Sequence, residues 1–339
     1  MYKDVLAKLT TMRELDEQEV CALITAINDD EINDVQIAGF QVALLMKGAS
    51  LQELAFLAKA MRANCVPLRP KVEREMMDTC GTGGGLSTFN ISTATAILAA
   101  SAGIPIAKHG SRSISSLSGS ADVLEALGVV IDITPPQVEK MIEEIGISFI
   151  YAPLYHPVMR KVFMPERDLG IKTIFYTIIG PLINPAFASR HLLGVYKPEL
   201  LDTVTFVAKE LGYTQAMFVH GLDGLDEISL LGKTRVSELR NGWVRTYDIV
   251  PEDFGLERCA LEAIKTGTPM ENAETIRDVF ALKIKGARRD AIVLNSAGAL
   301  IVGGVVEDFE QGITLANELI ESGVAMKKLK ELIEMSKSF

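Results

Sequence analysis

The sequence has no surplus of positive charge, no closely spaced cysteines and no long apolar run, and each gap removes a class of protein. Lysine and arginine number 34 against 44 aspartate and glutamate, a formal net charge of −10. An acidic chain lacks the Lys and Arg excess with which proteins grip a nucleic-acid backbone non-specifically, although a local basic pocket stays compatible with it. The four cysteines, Cys21, Cys65, Cys80 and Cys259, include no C-x-x-C pair, which argues against a zinc site. No apolar run reaches the roughly 20 residues that span a bilayer. The richest, 91–106, is shorter and holds Ser, Thr and Pro. The segment MYKDVLAKLTTMRELDEQEV lacks the apolar stretch and cleavage site of a secretion signal. The expectation is a cytoplasmic protein with reduced thiols. Repeats and low-complexity tracts are also missing.

What is there is an ordinary globular composition, 48% apolar and 23% charged over 339 residues. That length fits roughly two domains, with a core that needs no disulfide or metal staple. The first 64 residues read as helix. Ile37, Phe40, Leu44 and Leu45 recur at three- and four-residue steps, Gly48 stops that helix, and Ser50 with Glu53 opens the next as a capping box. VPLRP, 66–70, is a linker. Beyond it, short β-type runs at 104–108, 147–152, 191–196 and 216–221 alternate with helical stretches, which predicts a largely parallel sheet covered by helices. Residues 154–190, rich in Pro, Arg and Gly, fit neither rhythm and read as a crossover or functional loop.

Three segments carry chemistry. The first runs from Asp78 through Gly81-Thr82-Gly83-Gly84-Gly85 to Thr88, Asn90, Ser92 and Thr93. Its glycines permit positive φ and close approach of a ligand. Successive amides form an anion nest, and the helix that follows aims its N-terminus at the same place. The Gly-Lys-[Ser/Thr] ending of a P-loop is absent, as is G-x-G-x-x-G. The second, Lys108-His109-Gly110-Ser111-Arg112 and on to Ser116 and Ser120, offers hydroxyls and cations at a predicted strand end. It suits a polyanion such as a phosphorylated sugar. The third, His220 to Ser229, places Asp226 and Glu227 after another strand, a pair able to hold Mg²⁺ beside ligand phosphates.

Together these motifs resemble the anthranilate phosphoribosyltransferase family of tryptophan biosynthesis over almost the whole chain. The matching segments are GTGG with FNIST, KHG-x-RS-x-SS-x-SGSADVLEALG, HP-x-M, LGIKTIF, GPLINPA, LLGVY and HGLDGLDEIS. The resemblance implies an α/β fold of the nucleoside phosphorylase/phosphoribosyltransferase type. A small helical domain, 1–66, would be joined by part of 155–190, and an α/β domain with a mainly parallel sheet would span 71–339. It implies a homodimer formed through the helical domain, with no membrane or nucleic-acid partner. The implied reaction moves phosphoribose from phosphoribosyl pyrophosphate (PRPP) to an aromatic amine, anthranilate by default, with two Mg²⁺ ions and no catalytic nucleophile. PRPP would lie on Gly81, Thr82, Gly83, Gly84, Thr88, Asn90, Ser92, Thr93, Lys108, Ser116 and Ser120. Metal would be held by Ser92, Asp226 and Glu227. The acceptor would meet Gly81, His109, Ser111, Glu166 and Arg167, with His109 orienting it rather than acting as a base.

Departures from the family pattern cluster. The glycine loop is one residue shorter, Gly85 standing where the family has Asp. Ser111 replaces Asn, Tyr176 replaces Asn, and Glu166 replaces an Arg that meets the acceptor carboxylate. The expectation is an acceptor pocket altered at 111 and 166, with about 10²–10³ lost in kcat/KM toward anthranilate. The alternatives are a paralogue using another ring acceptor, a non-catalytic nucleic-acid-binding relative, and a pyrimidine nucleoside phosphorylase. The net charge of −10 and the intact Asp226–Glu227 pair argue against the nucleic-acid-binding relative, and the KHGSRS and DGLDE segments fit the transferase better than the phosphorylase.

Overall fold

The computed structural model describes residues 1–113, 117–171 and 173–339. A small N-terminal helical domain comprises α1 (Tyr2–Thr10), α2 (Glu17–Asn28), α3 (Asp34–Lys47) and α4 (Leu51–Ala63). Three of these helices open on capping boxes: Asp16 with Glu19, Asn33 with Gln36, and the expected Ser50 with Glu53. Each box satisfies two backbone amides that a helix start leaves unpaired.

Among the described residues, the larger α/β domain is built on seven strands: β1 (Met77–Gly81), β2 (Ile106–Gly110), β3 (Ile147–Tyr151), β4 (Arg190–Gly194), β5 (Gln215–Gly221), β6 (Thr234–Arg240) and β7 (Trp243–Ile249). Their order is β3-β2-β1-β4-β5-β6-β7. Pairing is parallel from β3 to β5 and antiparallel at β6 and β7. The four strands read from sequence are present, β2 starting two residues later than expected. β1, β6 and β7 are additional to that reading.

Helices fill the connections: α5 (Ile91–Ser101), α6 (Ser120–Ala126), α7 (Pro135–Ile145), α8 (Ala152–Tyr155), α9 (Pro157–Leu169), α10 (Gly180–Leu182) and α11 (Leu200–Glu210). After the sheet come α12 (Leu261–Ile264), α13 (Pro269–Phe280), α14 (Ala287–Val302), α15 (Phe309–Glu321) and α16 (Val324–Ser336). None of the described helices is long and apolar enough to cross a membrane. The stretch 154–190 is thus largely helical, a correction to the irregular reading. Its prolines mislead because Pro157 and Pro181 occupy first-turn positions, where the missing N–H is not needed. Only Pro165 lies inside a helix. A π-helical turn, Phe175–Ile179, links α9 to α10.

Strands β1 to β5 are largely buried while the edge strand β7 is largely exposed, and alternation along the buried strands sends side chains to two different cores. Met217 and Val219 of β5 join α5 and α14 on one side. Ala216 and Phe218 join α11 and the N-terminal helices on the other, together with Val158, Val162, Phe175 and Ile179. The chain runs from β1 outward to β3 and then returns to place β4 on the far side of β1. The order reverses between β1 and β4, and the crevice beyond the C-terminal ends of strands at such a point is where open α/β sheets bind ligands.

Candidate active site

Gly81 and Gly194 end β1 and β4 opposite each other. Neither has room for a side chain. A Cβ on Gly81 would strike the Asp226 carboxylate, and one on Gly194 would strike the Asp226 backbone. The two glycines therefore let the acidic loop that follows β5 lie directly on the strand ends. There Asp226 Oδ2 accepts the Gly83 amide at 2.9 Å, and Glu227 stands beside the first turn of α5, where the Ser92 backbone favours its charged form. The Thr82 amide bonds the Gly194 carbonyl at 2.9 Å, and Thr82 Oγ1 accepts from the Tyr196 amide at 3.0 Å. So the Gly83 amide, read from sequence as part of the pyrophosphate nest, meets the carboxylate of Asp226 in this structure. Gly83 and Gly84 keep the positive φ expected of them, 66° and 92°.

The acidic pair suits a divalent cation. Both carboxyls are pushed up by burial, Glu227 well up with Asp226 adding to it. The nearby ammonium, Lys108, is itself pushed down by burial and spends a 2.6 Å bond on the Thr79 carbonyl. Two adjacent, desolvated carboxylates with few donors favour a bound positive charge.

The remaining expected donors are mostly engaged. Asn90 bonds Ser118 and Asn272. Thr88 bridges Lys265. Ser120 Oγ donates to the Ser111 carbonyl, while the Thr93 hydroxyl is buried without a partner among the described residues. Ser116 lies outside the described residues.

On the acceptor side, His109 sits at the end of β2 with its ring against His156, Nε2 to Nε2 3.0 Å. Ser111 Oγ donates to the Arg112 carbonyl. Arg112 pairs with Asp122 and Glu125, tying down the start of the serine-rich loop. Glu166 does not join His109. It lies ten residues along α9 from His156, about 15 Å of helix. It is 3% exposed and turned to the helical domain, where it accepts from Thr173 Oγ1 and from Gln41 Nε2. Burial pushes its carboxyl up. Arg167 is exposed and paired with Asp168. The expectation that Glu166 confronts the acceptor carboxylate, with Arg167 in reserve, is corrected: a helix whose apolar face packs on α3 carries position 166 into the junction.

Sequence reasoning gave no role to three residues that hold the site together. Asp78 is fully buried. Its Oδ1 accepts the amides of Thr79 and His109, and its Oδ2 accepts Asn184 Nδ2 at 2.7 Å. Burial lifts it to about 6, partly offset by Lys108 and these donors. With Cys80 and His191 it forms the one group of three possible ligand side chains, among the described residues, whose atoms lie within 4.8 Å. Asp78 already receives three hydrogen bonds there, so it acts as scaffold. Asn184 stands in the GPLINPA segment and His156 in HP-x-M. Asn184, inside the largely apolar GPLINPA run, was the available signal, since buried polar groups are hydrogen-bonded.

The comparisons agree with this architecture. Residues 3–65 match the model of the glycosyl transferase family, helical bundle domain, and residues 73–326 match its a/b domain. An anthranilate phosphoribosyltransferase of Acetivibrio thermocellus is 47% identical, covering 100% of this chain and 98% of that protein. The crystal structure of the Thermus thermophilus enzyme of the same name superposes with a TM-score of 0.91 at 38% identity, covering 98% and 99% of the two chains. The Saccharomyces cerevisiae enzyme in complex with PRPP and Mg gives 0.89 at 28% identity, covering 100% and 98%. Matched along its length by proteins of one kind, with glycines, lysine and paired carboxylates gathered at the strand switch, the chain belongs to the anthranilate phosphoribosyltransferase family.

Proposed function

We propose that this protein transfers phosphoribose from PRPP to the amine of anthranilate and releases pyrophosphate, with Mg²⁺ held by Asp226, Glu227 and Ser92. The observation that carries this reading is the seating of the Asp226–Glu227 pair directly on the glycine loop and strand ends, with the Gly83 amide on Asp226 and the start of α5 beside Glu227. A polyphosphate entering there meets carboxylates, and a cation between the two reconciles them. Mg²⁺ bound there supplies charge neutralisation for the departing pyrophosphate.

The chain's own residues bind and position. The Gly81–Gly84 loop, Thr88, Asn90, Ser92, Thr93, Lys108, Ser116 and Ser120 hold the donor, and His109 with Ser111 faces the acceptor. Because the leaving group departs with its charge compensated, the anomeric carbon develops oxocarbenium character without a protein nucleophile. Placement of the two substrates supplies much of the rate. Two ions per site, the division into residues 1–66 and 71–339, and the cytoplasm as compartment belong to the same proposal. So does a homodimer through the helical domain. Exposed Val35, Val42 and Met46 on one stripe of α3 support that dimer.

Loss of anthranilate fluorescence with PRPP and Mg²⁺, coupled to pyrophosphate release, tests the function. The expected result is equal consumption of both substrates, abolished by EDTA. PRPP turnover only with other ring amines would transfer the reading to a paralogue, and no turnover with any amine would end it.

A further inference from the structure

His109 and His156 meet edge to face inside the protein, ring centroids 4.9 Å apart and planes at 69°. They are 6% and 3% exposed. With the Nε2 atoms 3.0 Å apart, one nitrogen must carry a hydrogen and the other must be bare. Two N–H groups would repel, and two lone pairs would face each other. Burial keeps both rings neutral. It holds His156 down at about 4 and His109 well below the ordinary imidazole value, with His156, His191 and Lys108 adding to the effect on His109.

The outer nitrogens decide which ring donates. His156 Nδ1 is enclosed and has no partner among the described residues. Were His109 the donor, His156 would have to bury an N–H at that position with nothing to receive it, the rarest kind of unsatisfied group. With His156 donating from Nε2, the enclosed nitrogen is bare. His109 then accepts at Nε2 and carries its own hydrogen on Nδ1. That atom has no hydrogen-bond partner among the described residues and is not among the enclosed ones, so its N–H faces solvent-accessible space. We infer that His156 is a positioning residue that fixes His109 as an Nδ1–H donor toward the carboxylate of the incoming aromatic amine. His109 orients that substrate and does not take its proton. The inference rests on the proposed placement of His109 at the acceptor side.

The chain has four histidines, so long-range ¹H–¹⁵N correlation spectra of the full-length protein can be assigned by single substitutions. The expected spectrum has His109 as the Nδ1–H tautomer and His156 as Nε2–H. In His156→Leu, His109 should return to the commoner Nε2–H form, and kcat/KM for anthranilate should fall about 10–100-fold, the scale of one oriented bond to a charged group. KM for PRPP should stay within about twofold, and His156→Gln, whose amide donates from a similar reach, should recover most of the loss. An Nε2–H His109 in the wild type overturns the inference, as do equal losses in the Leu and Gln variants. Unchanged anthranilate kinetics in His109→Gln would instead remove His109 from the acceptor side, whatever the tautomers.

Discussion

The two walls of the site are built on opposite principles. On the donor wall, at the ends of β1, β2, β4 and β5, charged groups gather against backbone: the half-buried Asp226 takes the Gly83 amide, the buried Lys108 gives to the Thr79 carbonyl, and the half-buried Glu227 stands beside the start of α5. On the wall nearer the helical domain, the buried groups that meet are neutral rings, His109 and His156, and the one carboxylate expected there is turned away. A transferring phosphoribose with pyrophosphate needs fixed charge, while a flat aromatic acceptor needs shape and one or two directed bonds. The contrast follows the chemistry of the two substrates.

The donor wall should break hardest. Asp226→Ala removes an expected cation ligand and leaves Gly83 without its partner. The expected loss is about 10²–10³ in kcat/KM at limiting Mg²⁺, or roughly 2.7–4 kcal/mol. A value within threefold of wild type would show that the cation is held elsewhere.

The junction should respond in stability rather than in acceptor use. Glu166→Arg puts an unpaired cation between Gln41 and Thr173, where an uncompensated buried charge costs about 3–5 kcal/mol. Urea midpoints should fall accordingly. Arg167→Ala, whose pairing with Asp168 is exposed, should change stability by less than about 0.5 kcal/mol and leave KM for anthranilate untouched. An Arg at 166 that improves anthranilate kinetics without destabilising would place that side chain in the pocket after all.

Acid sharpens the comparison through the neutral rings. Burial lowers His191 from the ordinary imidazole value of 6.5 to about 3. Its folded pKa is depressed, so the unfolded chain binds the extra proton. The contribution is fully present above about pH 6.5 and is lost as pH falls toward 3. At pH 5 that amounts to roughly 2 kcal/mol. His191→Gln should therefore flatten the acid limb of a stability–pH curve between 6.5 and 4 relative to wild type. Parallel curves would mean that His191 is not buried neutral.

Much of the fold could be read because its signals are local. The Ser50–Glu53 capping box, the stop at Gly48 and the apolar cores of β3, β4 and β5 each sit within a few consecutive residues. The signal for β6 and β7 is equally local yet easy to pass over: Asn241 and Gly242, both at positive φ, form the two-residue turn that joins them. β1 is hidden for another reason. Met77-Asp78-Thr79-Cys80 looks polar, and only the distant Asn184 and His109 show how its Asp is satisfied in the interior. Glu166 makes the same point for the site. Its residue type signals a change, but its direction is set by packing between α3 and α9, which no spacing in the chain reveals.

The core beneath the N-terminal helices is assembled from residues as far apart as Val5 and Leu239. On a ribosome, the first four helices emerge long before α9, β4, β5 and β6 that complete their packing. They can form turns and pack on one another early, yet the part of their apolar surface that α9, β4, β5 and β6 later cover stays open until about two-thirds of the polypeptide has been made. Nascent chains of this protein therefore carry a sticky N-terminal segment through most of synthesis, the period in which a holding chaperone has something to grip.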